Sequence, residues 1–494
     1  PARGRWQGRM AGVNVTQNTG VPGGGFDIEI RGRNSLRPDA NAPLYIIDGV
    51  PYSAENTGSF QTSTIFNGST SPLNSINPDA IESIEVLKDA DATAIYGSRG
   101  SNGVVLITTK KGKAGKTQVT VNASSGAAKV ARFMKLMDTS EYIAMREQAF
   151  LNDGFTELPD YAYDLNGAWE RDRYTNWQKE LIGGTALFNS LDGTVSGGND
   201  RTQFLLGASY HTETTVFPGD FTYRKGGVNL NVNHSSEDGK FRVSATANYV
   251  AQDNNQPSYD LTGDSRMLAP NAPALYNPDG SLNWQGSTWT NPLANLNARF
   301  TSRTNDLVEN TVMQYEVLKG LNVKGSIGYT ETRNQEIRTM PSTIYDPAFG
   351  LGPMNSAVFR SEVQRKSWIA EPQLTYDRDF GRLAFNLVAG GSFQQLEGQR
   401  LTLRGAGFST NALINDISAS ASQRIMLDNK TVYKYQAFFG RMNFNYDKRY
   451  IVNLTARRDG SSRFGPGRQF ANFGAVGAAW LFSNEAVLKE SSVL

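Results

Sequence analysis

Three adjacent residues, Gly115-Lys116-Thr117, are of the types that close a phosphate-binding loop, in which backbone N–H groups and a lysine cradle a nucleotide. The apolar run Val104-Val105-Leu106-Ile107 precedes them, as a strand would. The spacing defeats that chemistry. A phosphate loop needs a glycine five positions before Gly115, and Lys110 stands there. The loop must also open a helix whose N–H groups face the phosphates. Gln118-Val119-Thr120-Val121 instead alternates polar and β-branched residues, the pattern of a strand. The stretch reads as a basic, glycine-rich connector between two strands.

Other reactive types are equally poor in constellations. Cysteine is absent, which excludes a disulfide framework and cysteine-based metal sites. His211 and His234 are the only imidazoles, and neither has a second ligand at metal spacing, so no metal and no cofactor is expected. Glu82, Glu85 and Asp89 lie near one another, but a glycosidase needs two carboxylates facing across a cleft. Asp48-Gly49 in "IIDGVP" reads as a strand ending in a turn. No catalytic residue is assigned. A binding chemistry is more plausible in one long loop. There Tyr276, Trp284 and Trp289 could offer faces to a sugar, with the amides of Asn283 and Asn291 beside them; alternatively these aromatics only pack the loop.

What must position such groups is a β-rich chain of 494 residues. Its 49 basic and 47 acidic residues leave a net charge of +2, which argues against a general nucleic-acid binder. No run of about 18 apolar residues offers a transmembrane helix. The opening "PARGRWQGRMAG" has no signal-peptide character, and the segment is expected to come from something longer. From residue 117 onward one device repeats: Val228, Leu230 and Val232 alternate with Asn229, Asn231 and Asn233, and Met442, Phe444 and Tyr446 with Arg441, Asn443 and Asn445. About twelve strands are expected, near 117–130, 186–196, 202–212, 223–235, 240–252, 305–318, 321–335, 361–377, 382–398, 431–446, 449–459 and 470–483.

The connections alternate strictly between tight turns (197–200, 237–239, 319–320, 379–381, 447–449) and mostly long loops (131–185, 253–304, 336–360, 399–430, with shorter ones at 213–222 and 460–469). An outer-membrane barrel does this, with tight periplasmic turns and long extracellular loops. A soluble sandwich has no reason to. Arg242, Lys324, Arg441 and Arg457 all fall on the polar face, as expected if the other face meets lipid, where a charge costs about 2–4 kcal/mol at the midplane. Tyr210, Tyr249, Tyr329, Phe444 and Tyr446 fit interfacial girdles. Residues 1–113 differ: short strands (12–16, 27–31, 44–48, 84–87, 104–109), glycine and proline turns, and a short helix over 89–96 ended by Gly97, a small α+β domain.

The phrases "NAPLYIIDGVP", "DADATAIYGSRGSNGVVLITTKKG" and "RRDGSSRFG", with the helical stretch "LMDTSEYIAMREQAFLNDG", resemble the SusC/RagA family of TonB-dependent outer-membrane transporters, importers of glycans and peptides. The resemblance covers essentially the whole chain. It implies a transmembrane β-barrel of twenty-two strands in the full protein, about twelve of them here, with an N-terminal α+β plug in the lumen. Residues 1–113 would be the plug and 114–494 the N-terminal part of the barrel. It implies TonB as the energy-coupling partner, through a segment missing here, and a SusD-like surface lipoprotein that captures an oligosaccharide or peptide. It also implies insertion in outer-membrane lipid and a possible dimer of transporter–lipoprotein pairs. In related transporters a plug arginine pairs with barrel glutamates; Arg31 of "EIRGR" matches that position, and Lys88 stands where a second plug arginine usually lies. Alternation from Leu374 and Tyr376 turns Glu371 inward, so Glu371 is the expected barrel acid. The rival readings are a passive porin, which needs no plug, and a β-rich binding or adhesion protein.

Overall fold

The computed structural model describes residues 10–485, apart from 18, 34, 37–40, 54–56, 63–64, 67–73, 75 and 89–93. Two small sheets come first. Strands β1 (Val13–Gln17) and β2 (Phe26–Ile30) form an antiparallel pair. Strands β3 (Leu44–Ile47), β4 (Val50–Tyr52), β5 (Ile81–Leu87) and β6 (Val104–Thr109) form a mixed sheet in the order β4-β3-β6-β5, with β3 and β6 parallel. Val13, Ile28, Tyr45, Ile47, Val105 and Ile107 are buried between the two sheets. Two residues of the following large sheet, Val308 and Ile369, complete this core.

That large sheet has twelve antiparallel strands paired in chain order. They are β7 (Gly115–Ala128), β8 (Ala186–Gly198), β9 (Thr202–Thr214), β10 (Thr222–Ser235), β11 (Phe241–Pro257), β12 (Arg299–Leu318), β13 (Leu321–Met340), β14 (Ala357–Phe380), β15 (Leu383–Ala406), β16 (Ser422–Tyr446), β17 (Tyr450–Ser461) and β18 (Phe470–Trp480). One face carries the small sheets. The other exposes an apolar band through Val121, Leu206, Leu230, Ile327, Met442 and Val476. Aromatic rings bound the band near the tight turns: Tyr376, Phe385 and Phe444 touch in sequence at 6.3 and 5.1 Å between centroids, and Tyr450 stacks on Trp480 at 6.4 Å. Tyr210, Tyr249 and Trp368 mark its opposite edge. Rings at both edges suit a wall whose apolar face meets lipid and whose rims meet water.

Several strands run longer than the sequence pattern indicates. β14 and β15 have 24 residues each, so the connections expected over 336–360 and 399–430 shrink to 341–356 and 407–421. At about 3.4 Å per residue and a tilt near 45°, 24 residues rise roughly 55–60 Å, about twice the lipid band. The excess stands above the membrane. There the outward face turns charged, with Arg333–Glu331 at 2.7 Å and Arg303–Asp253 at 3.1 Å. Once both faces are polar, alternation no longer signals a strand. The short helix expected over 89–96 can be compared only at its end. Residues 89–93 lie outside the described residues, and Ala94–Gly100 is a pair of 3-10 turns broken at Gly97.

The first long loop holds α1 (Thr139–Asn152) and α2 (Trp177–Ile182). Asp138 caps α1: its Oδ1 accepts from the Glu141 amide at 2.9 Å, and Glu141 accepts in return from the Asp138 amide at 3.1 Å. The Glu141 amide and the Ser140 hydroxyl together hold the Asp138 carboxyl below its ordinary value of 3.8. A depressed folded value means that the cap's contribution is present above that ordinary value and lost as pH falls through the folded one. Asp138→Ala should therefore speed hydrogen exchange at the first-turn amides of α1 at pH 7. The difference from the parent should vanish as acid protonates Asp138; a difference that persists unchanged in acid would contradict the capping role.

Candidate functional site

The junction between the small sheets and the wall is where chemistry-bearing side chains concentrate. The chain turns sharply at Gly97, with φ 58° and ψ −142°, a conformation that side chains avoid. A Cβ there would collide with Asp459 Oδ2 and lie 2.7 Å from Arg457 Nε. Arg457 and Asp459 sit two apart on β17, hence on one face, and both are buried. Arg457 Nε donates to Asp459 Oδ1 at 2.6 Å, and Nη2 donates to the Tyr435 hydroxyl at 2.7 Å. Arg99, two residues beyond Gly97, donates to Gln394 Oε1 at 2.8 Å and lies 4.2 Å over the Tyr435 ring. The turn thus enters a seat built from β15, β16 and β17.

Further contacts along residues 48–112 mostly join one charged group to a neutral partner, and among the described residues none is an ion pair. Asp48, at φ 47°, accepts from the Thr109 amide at 2.8 Å and from its hydroxyl at 2.7 Å, tying the turn after β3 to the end of β6. The Asp48 carbonyl accepts from Asn310 Nδ2 at 2.6 Å. Gly328 leaves room for Val50, whose Cγ2 would lie 2.6 Å from an added Cβ. Tyr52 donates to Asp306 at 2.9 Å. Glu336 accepts from the Ser59 amide at 2.9 Å and from the Thr62 hydroxyl. Lys225 donates to the carbonyls of Asn74 and Ile76 at 2.5 and 2.9 Å. A neutral bond is worth about 0.5–1.5 kcal/mol net and one with a charged partner about 1.5–3 kcal/mol, so the junction is strong in sum and separable in parts.

The basic connector has a defined course. The Gly112 amide donates to Asn231 Oδ1 at 3.2 Å, and a Cβ there would lie 2.6 Å from the Phe204 backbone. Gly115, Lys116 and Thr117 open β7, a strand and not a helix.

Of the residues singled out by sequence, Arg31 is exposed in a turn at φ 58°, its Cγ beside Gly12. Lys88 donates to the Ala11 carbonyl at 2.9 Å, within the small sheets. Glu371 accepts from Ser392 at 2.6 Å and lies close enough to Tyr96 for its charge to help burial raise that phenol. Asp89 lies outside the described residues. In the long loop, Trp289 donates to the Asn283 carbonyl at 3.0 Å and sits 6.0 Å from Trp177 between ring centres. Asn291 is fully buried, donating to the carbonyls of Leu275 and Asn283. Tyr276 is exposed, and Trp284 is half-buried. Sequence reasoning did not single out Gly97, Arg99, Tyr435, Asp459 or Glu336. For Gly97, Arg99 and Asp459 the sequence carries a signal, the phrases "YGSRG" and "RRDGSS", but nothing in one sequence says that two phrases meet; Tyr435 and Glu336 lie in neither.

The family model for the TonB-dependent receptor plug domain matches residues 6–104. TonB-dependent receptor P26 of Formosa agariphila is 30% identical over 510 residues, covering 98% of this chain and 47% of that protein. TonB-dependent receptor SusC of Bacteroides thetaiotaomicron is 29% identical over 522 residues, covering 99% and 48%. The chain belongs to the SusC/RagA family of TonB-dependent receptors. It spans about half the length of the curated relatives it matches. Among solved structures, the RagAB peptide transporter superposes with a TM-score of 0.81 at 23% identity, covering 98% of this chain and 56% of that one. The ferric citrate transporter FecA gives 0.54 at 13% identity over 94% and 55%. The chain therefore places a plug against the wall of an outer-membrane β-barrel, with the apolar band toward lipid.

Proposed function

We propose that the protein to which this chain belongs imports an oligosaccharide or peptide across the outer membrane, driven by TonB. Residues 1–113 form its plug and 114–494 the first part of a twenty-two-stranded barrel. The observation that carries the reading is the plug–wall junction: one ion pair on the wall receives the Gly97 turn, while the other contacts of residues 48–112 are separate hydrogen bonds, most with one charged and one neutral partner, that can be broken one by one under load. A SusD-like lipoprotein capturing substrate at the surface, and pairing of two such complexes, are consistent with the SusC relative. In this reading Tyr276 and Trp284 face the substrate path, Trp289, Asn283 and Asn291 shape the loop that holds them, and Arg31, Lys88 and Glu371 adjust the plug.

The test is uptake by cells expressing the whole protein, with and without TonB. Uptake should fall to background when TonB is deleted. Uptake that persists would favour a passive porin.

A further inference from the structure

One cavity lies where the plug apex meets the extracellular loops. Its volume is about 540 Å3, within the range of small-ligand sites. It is a half-open cleft lined by the plug turn at Thr19–Pro22, the segment following β7, the end of α2, the segment following β9, and the loop at 260–266. The walls are aliphatic, with Val21 and Ile182 buried into the cluster that joins plug to loops. Among the described residues that line it, Phe217 is the one aromatic, and it is 8% exposed, packed in that same cluster.

The charges are what distinguish it. Lys129, Arg132 and Arg266 line the cavity, and among the described residues none of them forms an ion pair. Arg266 spends its Nε on the Thr262 carbonyl and leaves the rest of its fork uncommitted to any carboxylate. Glu213 and Asp260 line it too. Among the described residues the one polar contact of the Glu213 carboxylate is His211, at 3.4 Å, and Asp260 accepts from the Thr262 amide. The cavity therefore offers cations for a carboxylate and carboxylates for an ammonium group, on aliphatic walls. A neutral oligosaccharide uses neither sign of charge and wants open aromatic faces. A short peptide has both charges, amides for the threonines and side chains for the aliphatic wall.

We propose that this cavity is a subsite for a short peptide with free termini, the C-terminal carboxylate held by Arg132 and Arg266. The inference rests on the import reading and names the substrate class. Charge-assisted bonds from a guanidinium to a carboxylate are among the stronger polar contacts.

The whole protein, purified in detergent, is titrated with tetraalanine carrying free termini, with its acetylated and amidated form, and with maltotetraose. Free tetraalanine should bind on the order of 10-fold or more tighter than the capped form, and maltotetraose not measurably. The Arg132→Ala/Arg266→Ala double variant should lose that preference; both positions are exposed, so the fold should survive. Equal affinity for free and capped peptide, binding of maltotetraose, no binding of any of the three, or a preference retained in the double variant would each overturn the proposal. Uptake in cells lacking TonB separates the two readings. TonB-dependent uptake of a neutral sugar alone would sink the subsite and leave import standing. Charge-selective peptide binding with TonB-independent uptake would sink import and leave the subsite.

Discussion

Gly97→Val should unseat the plug. Its Cβ would fall against Asp459 and within 2.7 Å of Arg457 Nε, and the two γ-methyls would enlarge the clash. The neighbours cannot yield cheaply, because Arg457 and Asp459 are only 4% and 2% exposed and are bonded to each other. Overpacking a tight site costs about 1–3 kcal/mol, and separating a buried ion pair about 3–5 kcal/mol. A side chain at this φ and ψ adds strain of roughly 1–3 kcal/mol. These terms overlap, since the turn can lift away and spare the pair, so the expected loss is about 3–5 kcal/mol of plug seating. Two readouts check it: faster proteolysis of the connector at 110–114, and raised conductance of the whole protein in planar bilayers. Gly32→Ala is the control, because Gly32 also has a positive φ, 86°, but has nothing within 4 Å of an added Cβ. If Gly97→Val behaves like Gly32→Ala in both readouts, the seat has no mechanical role.

The wall was readable in the sequence because a membrane enforces a simple rule. Each lipid-facing position must be apolar and each lumen-facing one can be polar, so β10 and β16 announce themselves by alternation. The same rule explains where reading stopped. Above the band, Glu331 and Arg333 face water, alternation carries no information, and the upper ends of β13–β16 went unseen. The plug's strands were legible from β-branched runs between glycines. The junction was not, because its contacts join positions hundreds of residues apart, and either phrase alone reads as a turn. Inward direction was still inferable: alternation placed Glu371 on the plug-bearing face, where it meets Ser392. Alternation cannot say which inward acid meets which plug group. The substrate-loop residues show a different limit. Trp289 and Asn291 have the types of a sugar site, yet the loop uses both to hold its own carbonyls. Residue type gives a capacity to bind, and only packing shows whether that capacity is already spent.

Glu336 gives the second large effect, and by a different physics. It is 3% exposed on β13, and its Oε2 accepts from the Ser59 amide and the Thr62 hydroxyl. Its Oε1 accepts from Asn334 Nδ2 at 3.1 Å, and Asn334 also donates to the Thr57 carbonyl. Among the described residues Glu336 forms no ion pair; its hydrogen bonds come from neutral donors, with the Arg400 guanidinium near enough to act on it through space. Glu336→Ala removes the acceptor and orphans two buried donors, the Ser59 amide and one Asn334 N–H, while the Thr62 hydroxyl can still donate to the Ser59 carbonyl at 2.9 Å. An orphaned buried donor costs about 1–3 kcal/mol, and water admitted to the gap would recover part of that, so a net loss of about 3 kcal/mol is expected. Glu336→Gln should cost less. Its amide oxygen can still accept from Ser59 and Thr62, but its NH2 then faces Asn334. Asn334 cannot turn round without giving up the hydroxyls of Ser302 and Thr304, which donate to its Oδ1. About one bond is lost. Hydrogen exchange of the Ser59 and Thr62 amides in the whole protein reads the difference: roughly 100-fold less protection in the alanine variant and about 10-fold less in the glutamine variant. Unchanged protection in the alanine variant would show that Glu336 does not hold the segment. Equal loss in both variants would show that the negative charge, and not the geometry of its acceptors, is what binds the plug loop to the wall.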